Sequence, residues 1–110
     1  MRNVPARVVG LVTFYADGVE RQEIHVRLGK ALGLPYQLGS RVPIELQIGH
    51  TTYEAGLRAL TSYGVAWICP DMALAGRKVR LVDALHGSGF RKGQNVVLQA
   101  LGRKIRVLPE

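Results

Sequence analysis

Two short polar clusters hold the side chains best suited to specific chemistry in this chain. Arg21-Gln22 closes the stretch "YADGVERQ", and Arg58, Thr61, Ser62 and Tyr63 lie in "GLRALTSYG". A guanidinium can donate two parallel hydrogen bonds to guanine O6 and N7, and a carboxamide can pair with adenine N6 and N7. Hydroxyls of Ser, Thr and Tyr suit phosphates or base edges. A further set, Arg77, Lys78, Arg91, Lys92, Arg103, Lys104 and Arg106, supplies charge without other base-reading types, which fits a rim that follows phosphates. Any one of these cations reads as an ordinary solvated residue. The set as a whole points to a polyanion.

Residues for catalysis are not arranged for it. His25, His50 and His86 have no ligand spacing among them, whereas a zinc site would show C-x-x-C or H-x-x-x-H. The stretches "HGSGF" and "GFRKG" complete neither of the glycine-rich phosphate motifs and read as turns. Pro70-Asp71 could open a metal-dependent nuclease motif. That motif also needs a second acidic residue two positions before a lysine, to hold Mg²⁺ and activate water. Downstream, Asp83 is followed by Ala84-Leu85 and the remaining acid is Glu110, so the motif is not completed and Asp71 reads as a turn or cap residue. Asp17, Glu20 and Glu23 gather near one turn, an arrangement that is usually just solvated. The expectation is a binding domain with no catalytic residue, metal or cofactor of its own.

The totals agree with a polyanion partner. Fifteen Lys and Arg against eight Asp and Glu give a net charge of +7 and a pI near 10.2. In a small domain such an excess points first to nucleic acid and then to an anionic surface. The 110 residues suffice for one core, so a single domain over 1–110 is expected. One cysteine, Cys69 in "VAWICPD", forms no internal disulfide, fits a reducing compartment and reads as a small buried hydrophobe. No apolar run reaches the ~18 residues of a membrane span. The start "MRNVPARVVG" lacks the apolar core of a secretory signal, so a cytoplasmic location is expected.

The elements that must carry these residues are mostly strands. "RVVGLVTFY", "QEIHV", "TTYEAGLRAL" and "YGVAWICP" are rich in β-branched and aromatic residues, with turns at "ADGVE" and at Thr61-Ser62-Tyr63-Gly64. In "RVPIELQI", Val42, Ile44, Leu46 and Ile48 fall on one face, and Pro43 on the other implies an edge or bulge. Val96 and Leu98 alternate likewise, and "LGRKIRV" returns as a hairpin. "DMALAGRK" reads as a connector whose Gly76 ends a helical turn. Two stretches are alike: Arg27-Leu28 and Ala31-Leu32 recur as Arg80-Leu81 and Ala84-Leu85, each followed by a glycine turn and an alternating strand. The first copy carries a short helical stripe of Val26, Leu28, Ala31, Leu32 and Leu34. The fold class expected is mainly β with two short helices, a seven-to-eight-stranded open pseudobarrel with an internal pseudo-twofold duplication.

The order strand, polar turn, "IHVRLGKALGLP", alternating strand, hairpin and "VRLVDALHGSGFRKGQNVVLQALGRKIRV" resembles the DNA-binding pseudobarrel domain of plant transcription factors and of restriction enzymes such as EcoRII and BfiI. Phe90 and "RKGQNVVL" stand where the plant members carry a similar stretch, with Gln94 in place of their usual Asp, so the restriction-enzyme branch fits better. The unit "LGKALGLPYQLGSRVPIEL" also resembles AbrB-like regulators, in which it occurs once and a dimer completes the barrel. Two copies here imply a monomer that closes alone. The resemblance implies sequence-specific binding of double-stranded DNA as the recognition domain of a restriction system. Two turns on one side of the barrel would enter the major groove, carrying Arg21 and Gln22, and Arg58, Thr61, Ser62 and Tyr63. Any nuclease activity would belong to another domain or chain, fused or separate, and no membrane partner is implied. The alternative is a small β-barrel that binds a small anionic ligand or a protein, without nucleic acid. RNA binding by stacking finds little support if Phe14, Trp67 and Phe90 are buried.

Overall fold

The computed structural model describes residues 1–110. Nine strands follow one another: β1 (Arg2–Phe14), β2 (Glu20–Arg27), β3 (Val42–Ile48), β4 (Thr51–Leu60), β5 (Val65–Ile68), β6 (Asp71–Leu74), β7 (Arg77–Arg80), β8 (Asn95–Leu101) and β9 (Lys104–Pro109). One helix, α1 (Leu81–Gly87), separates β7 from β8, and single 3-10 turns occur at Leu28–Lys30 and Thr61–Tyr63. Seven strands close a barrel in the order β3-β9-β8-β1-β2-β5-β4, with β4 returning to β3. Its neighbours are antiparallel, save the parallel pair β3 and β9. The hairpin β6–β7 is outside the ring and joins β4 where Glu54 meets Ala73.

The barrel is closed, not open as expected. The pairing of β3 with β4 runs from Val42↔Leu57 to Ile48↔Thr51, and this ladder removes the last free edge. Period-2 alternation sends Val4, Ala6 and Val8 of β1 inward, with Ile24 and Val26 of β2, and Val42, Ile44, Leu46 and Ile48 of β3. Val96, Leu98 and Ala100 of β8 and Ile105 and Val107 of β9 complete the filling, and Leu81, Leu85 and Phe90 join the same core from α1 and the turn after it. Truncating a fully buried Leu such as Leu46 or Leu98 to Ala should cost about 2–5 kcal/mol. Pro43 sits outward, in a strand paired on both sides rather than at the expected sheet edge. The β9 ladder begins only at Glu45, so no N–H is needed on that side of position 43.

Three local expectations need correction. The stripe from Val26 to Leu34 is not a helix: Val26 belongs to β2, one 3-10 turn follows, and Leu32 is exposed while Ala31 and Leu34 are buried. Gly29 and Gly33 explain this, since glycine weakens a helix and Gly33 has φ +95°. "DMALAGRK" is the β6–β7 hairpin, with Ala75 (φ 50°) and Gly76 (φ 78°) forming its two-residue turn between Leu74 and Arg77. The order strand, helical turn, strand does occur twice, as β2 to β3 and β7 to β8. The two units differ in setting, however. β3 pairs with β4 and β9, whereas β8 pairs with β1 and β9.

Candidate functional site

Strand direction places every turn at one of two ends. β1, β3, β5 and β9 start where β2, β4 and β8 finish. The turn between β1 and β2 therefore lies at one end and the turn between β4 and β5 at the other. Arg27 pairs with Val65, and Leu28 N donates to Gly64 O at 3.0 Å, which fixes the second turn beside the far end of β2. The eight residues of β2 separate the two turns by about 23 Å. The expectation of two arms on one side is overturned, because β5 pairs antiparallel to β2 and reverses the hairpin that precedes it.

At the first end, charge is consumed internally. Asp17 Oδ2 accepts from Arg80 at 2.7 Å, Glu20 Oε1 from Lys92 at 2.8 Å, and Glu23 Oε1 lies 2.8 Å from His25 Nε2. Asp17 and Glu20 of the cluster seen in the sequence thus each have a cation, and Glu23 has the His25 ring. Tyr15 is wedged among them: its hydroxyl donates to Asp71 Oδ1 at 2.7 Å, with the Arg80 and Arg21 guanidinium carbons 4.0 and 4.5 Å from its ring centroid. Arg21 also donates to Phe14 O at 3.0 Å, so it is engaged in holding the turn. Burial, and then the bond to Asp71, push the Tyr15 hydroxyl up to about 12. The Lys92 ammonium holds the Glu20 carboxyl below its usual range, and the Arg80 guanidinium does the same for Asp17. Gln22 is not at a turn. It shares the inward phase of Ile24 and Val26, is 5% exposed, and its Oε1 has no partner.

The opposite end is different in kind. It gathers Arg2 at the start of β1, Arg27 and Lys30 after β2, Arg41 before β3, Arg58 near the end of β4, and Arg103 and Lys104 at the β8–β9 turn. None of these seven is in an ion pair, although Glu45 of β3 is the register partner of Lys104 and its N–H donates to Arg103 O at 2.9 Å. The other eight cations equal the chain's eight carboxylates in number, so these seven match the net charge of +7. Thr61, Ser62 and Tyr63 are exposed in the same region. Arg41 lies flat over Gly56, where a Cβ would collide with its guanidinium. Beside it burial pushes the Cys69 thiol up, partly offset by Arg41, so the half-buried thiol stays protonated at neutral pH.

The anticipated phosphate rim is divided among three places. Arg103 and Lys104 are at the basic end, Arg91 and Lys92 at the other, and Arg77 and Lys78 on the outer hairpin, where Lys78, Arg41 and Arg103 share a recess of about 740 Å³ with Glu45, Glu54 and Asp71. Arg106 is on the wall, bonded to Gln47. Arg2, Arg27, Lys30 and Arg41 were not singled out by sequence reasoning. Their signal was present: no acid occurs between Glu23 and Glu45, nor between Glu54 and Asp71. The aromatic expectation also shifts, for Phe90 is buried but Phe14 is 55% exposed and Trp67 half-buried. No family model matches the chain, and neither a curated protein nor a solved structure does.

Proposed function

We propose that the chain is a DNA-binding module that docks its basic end against the phosphate backbone of double-stranded DNA. The observation that carries this reading is the segregation of charge: seven unpaired cations at one end match the net charge in number. A one-sided field of this kind orients a polyanion and raises its local concentration. The β4–β5 turn, with Thr61 and Ser62, lies at the same end and is the part that would reach base edges. The reading keeps the duplex partner implied by the pseudobarrel resemblance, including its place as the recognition part of a restriction system. It replaces a two-armed grip with a single contact surface.

A selection from randomised duplex oligonucleotides at two salt concentrations tests it. If all seven cations meet phosphates, log affinity falls against log salt with a slope near −6, from about −0.9 per contact. An enriched motif assigns sequence specificity, and retained affinity without a motif assigns a nonspecific binder. A binding curve insensitive to salt refutes the proposal.

A further inference from the structure

The wall beside the basic end carries an aromatic recess that the duplex reading above leaves without a role. Direct cross-strand partners set Arg7, His25, Trp67 and Arg58 in one outward row over β1, β2, β5 and β4. Tyr63, 68% exposed, reaches back from the β4–β5 turn to Trp67, with ring centroids 5.9 Å apart and planes inclined by 45°. The two rings are in contact with each other and form one aromatic surface. It lines a recess of about 490 Å³, bounded by Leu11, Val65 and the His25–Glu23 pair. Glu23 spends one oxygen on His25 at 2.8 Å, and its other oxygen has no protein partner. Arg58 and Arg27, both exposed, stand respectively in the row of Trp67 and in the next outward row, that of Val65.

We propose that this recess seats one unpaired nucleobase, stacked against Trp67 and Tyr63, while Arg58 and Arg27 hold the flanking phosphates. The proposal rests on the nucleic-acid reading above. An aromatic face flanked by guanidinium groups matches the alternation of flat base and anionic link along a strand, and no other common polyanion supplies that alternation. The free oxygen of Glu23 can accept from an exocyclic amine, so cytosine fits the recess better than thymine. The base could come from a single strand or from a position displaced from a duplex. The chemistry of the seat is the same for both.

Trp67 is the sole tryptophan, so its emission reports on the seat directly. The intact protein is titrated with a paired duplex, the same duplex with one bulged cytosine, thymine or abasic residue, and the corresponding single strand, with anisotropy of labelled DNA read in parallel. The bulged cytosine is expected to quench Trp67 and to bind on the order of ten-fold tighter than the abasic bulge. In Tyr63→Ala, an exposed position, and in Trp67→Leu, the ratio between those two ligands collapses towards one. Quenching by the single strand alone assigns the base to unpaired chain, and quenching by the bulge assigns it to a displaced position; either supports the seat. Equal affinity for cytosine and abasic bulges without quenching overturns the seat while leaving duplex binding intact. Equal affinity for cytosine and thymine overturns the role of Glu23. Loss of binding to every oligonucleotide overturns the underlying reading as well.

Discussion

Tyr15 concentrates more interactions than any other side chain at the acidic-and-basic end, and its titration should be visible in stability. Its hydroxyl is raised from 10.0 to about 12 by burial and by Asp71, so the folded state favours the neutral phenol. The stabilisation is fully present below pH 10 and is lost as pH rises through about 12. Chemical denaturation of the protein and of Tyr15→Phe across that window should therefore converge with increasing pH. Parallel curves would show that Tyr15 does not titrate with folding. Asp17 and Glu20 act in the opposite sense: their lowered values give stability present above the ordinary carboxylate range and lost on acidification. Gln22 gives a second residue-scale prediction. A buried amide oxygen without a partner costs about 1–3 kcal/mol, and Met has nearly the same shape without that oxygen. Gln22→Met should raise unfolding free energy by about 1 kcal/mol in a denaturant titration and leave DNA affinity unchanged, because the side chain faces the core.

Among the elements, the β6–β7 hairpin has the clearest local flaw. Its two-residue turn needs positive φ at both positions, which Gly76 meets readily and Ala75 only with strain. Ala75→Asn places the favoured residue there and should raise the melting temperature, by about 0.5–1 kcal/mol in stability. Thermal unfolding of the two proteins checks it, with no change anticipated for the barrel itself. The same hairpin marks where the sequence was hard to read. "MALA" is made of helix-forming residues, and the two-residue turn that overrides them is signalled only by Ala75-Gly76. The strands β3 and β8 were legible because Val42 to Ile48 and Val96 to Leu98 alternate without interruption. The position of Gln22 was legible in principle from its phase with Ile24 and Val26. The polar run "YADGVERQ" hides it, because its last three residues already belong to β2, which begins at Glu20. Barrel closure could not be read, since it depends on β3 meeting both β4 and β9, contacts remote in sequence and set by register.

At the scale of the whole molecule, what matters is where charge lies and not how much there is. The chain does turn between β1 and β2 and between β4 and β5, though Arg21, Gln22 and Arg58 lie in the flanking strands, and only the direction of β5 against β2 reveals that the two turns sit at opposite ends. That same topology brings Arg2, Arg27, Lys30, Arg41, Arg58, Arg103 and Lys104 together from five separate segments. If binding responded only to the net charge of +7, any two cations would be equivalent. Two variants separate the possibilities. Arg103→Gln with Lys104→Gln removes two charges from the basic end, and Arg91→Gln with Lys92→Gln removes two from the other. Both variants keep the same net charge as each other, and all four positions are exposed. DNA affinity measured across a series of salt concentrations should lose about two units of log–log slope in the first variant, at ~0.9 per phosphate contact, and remain unchanged in the second. Equal losses in the two would mean that the overall field drives association. A loss confined to the second would move the contact surface to the end where Tyr15 and its ion pairs lie.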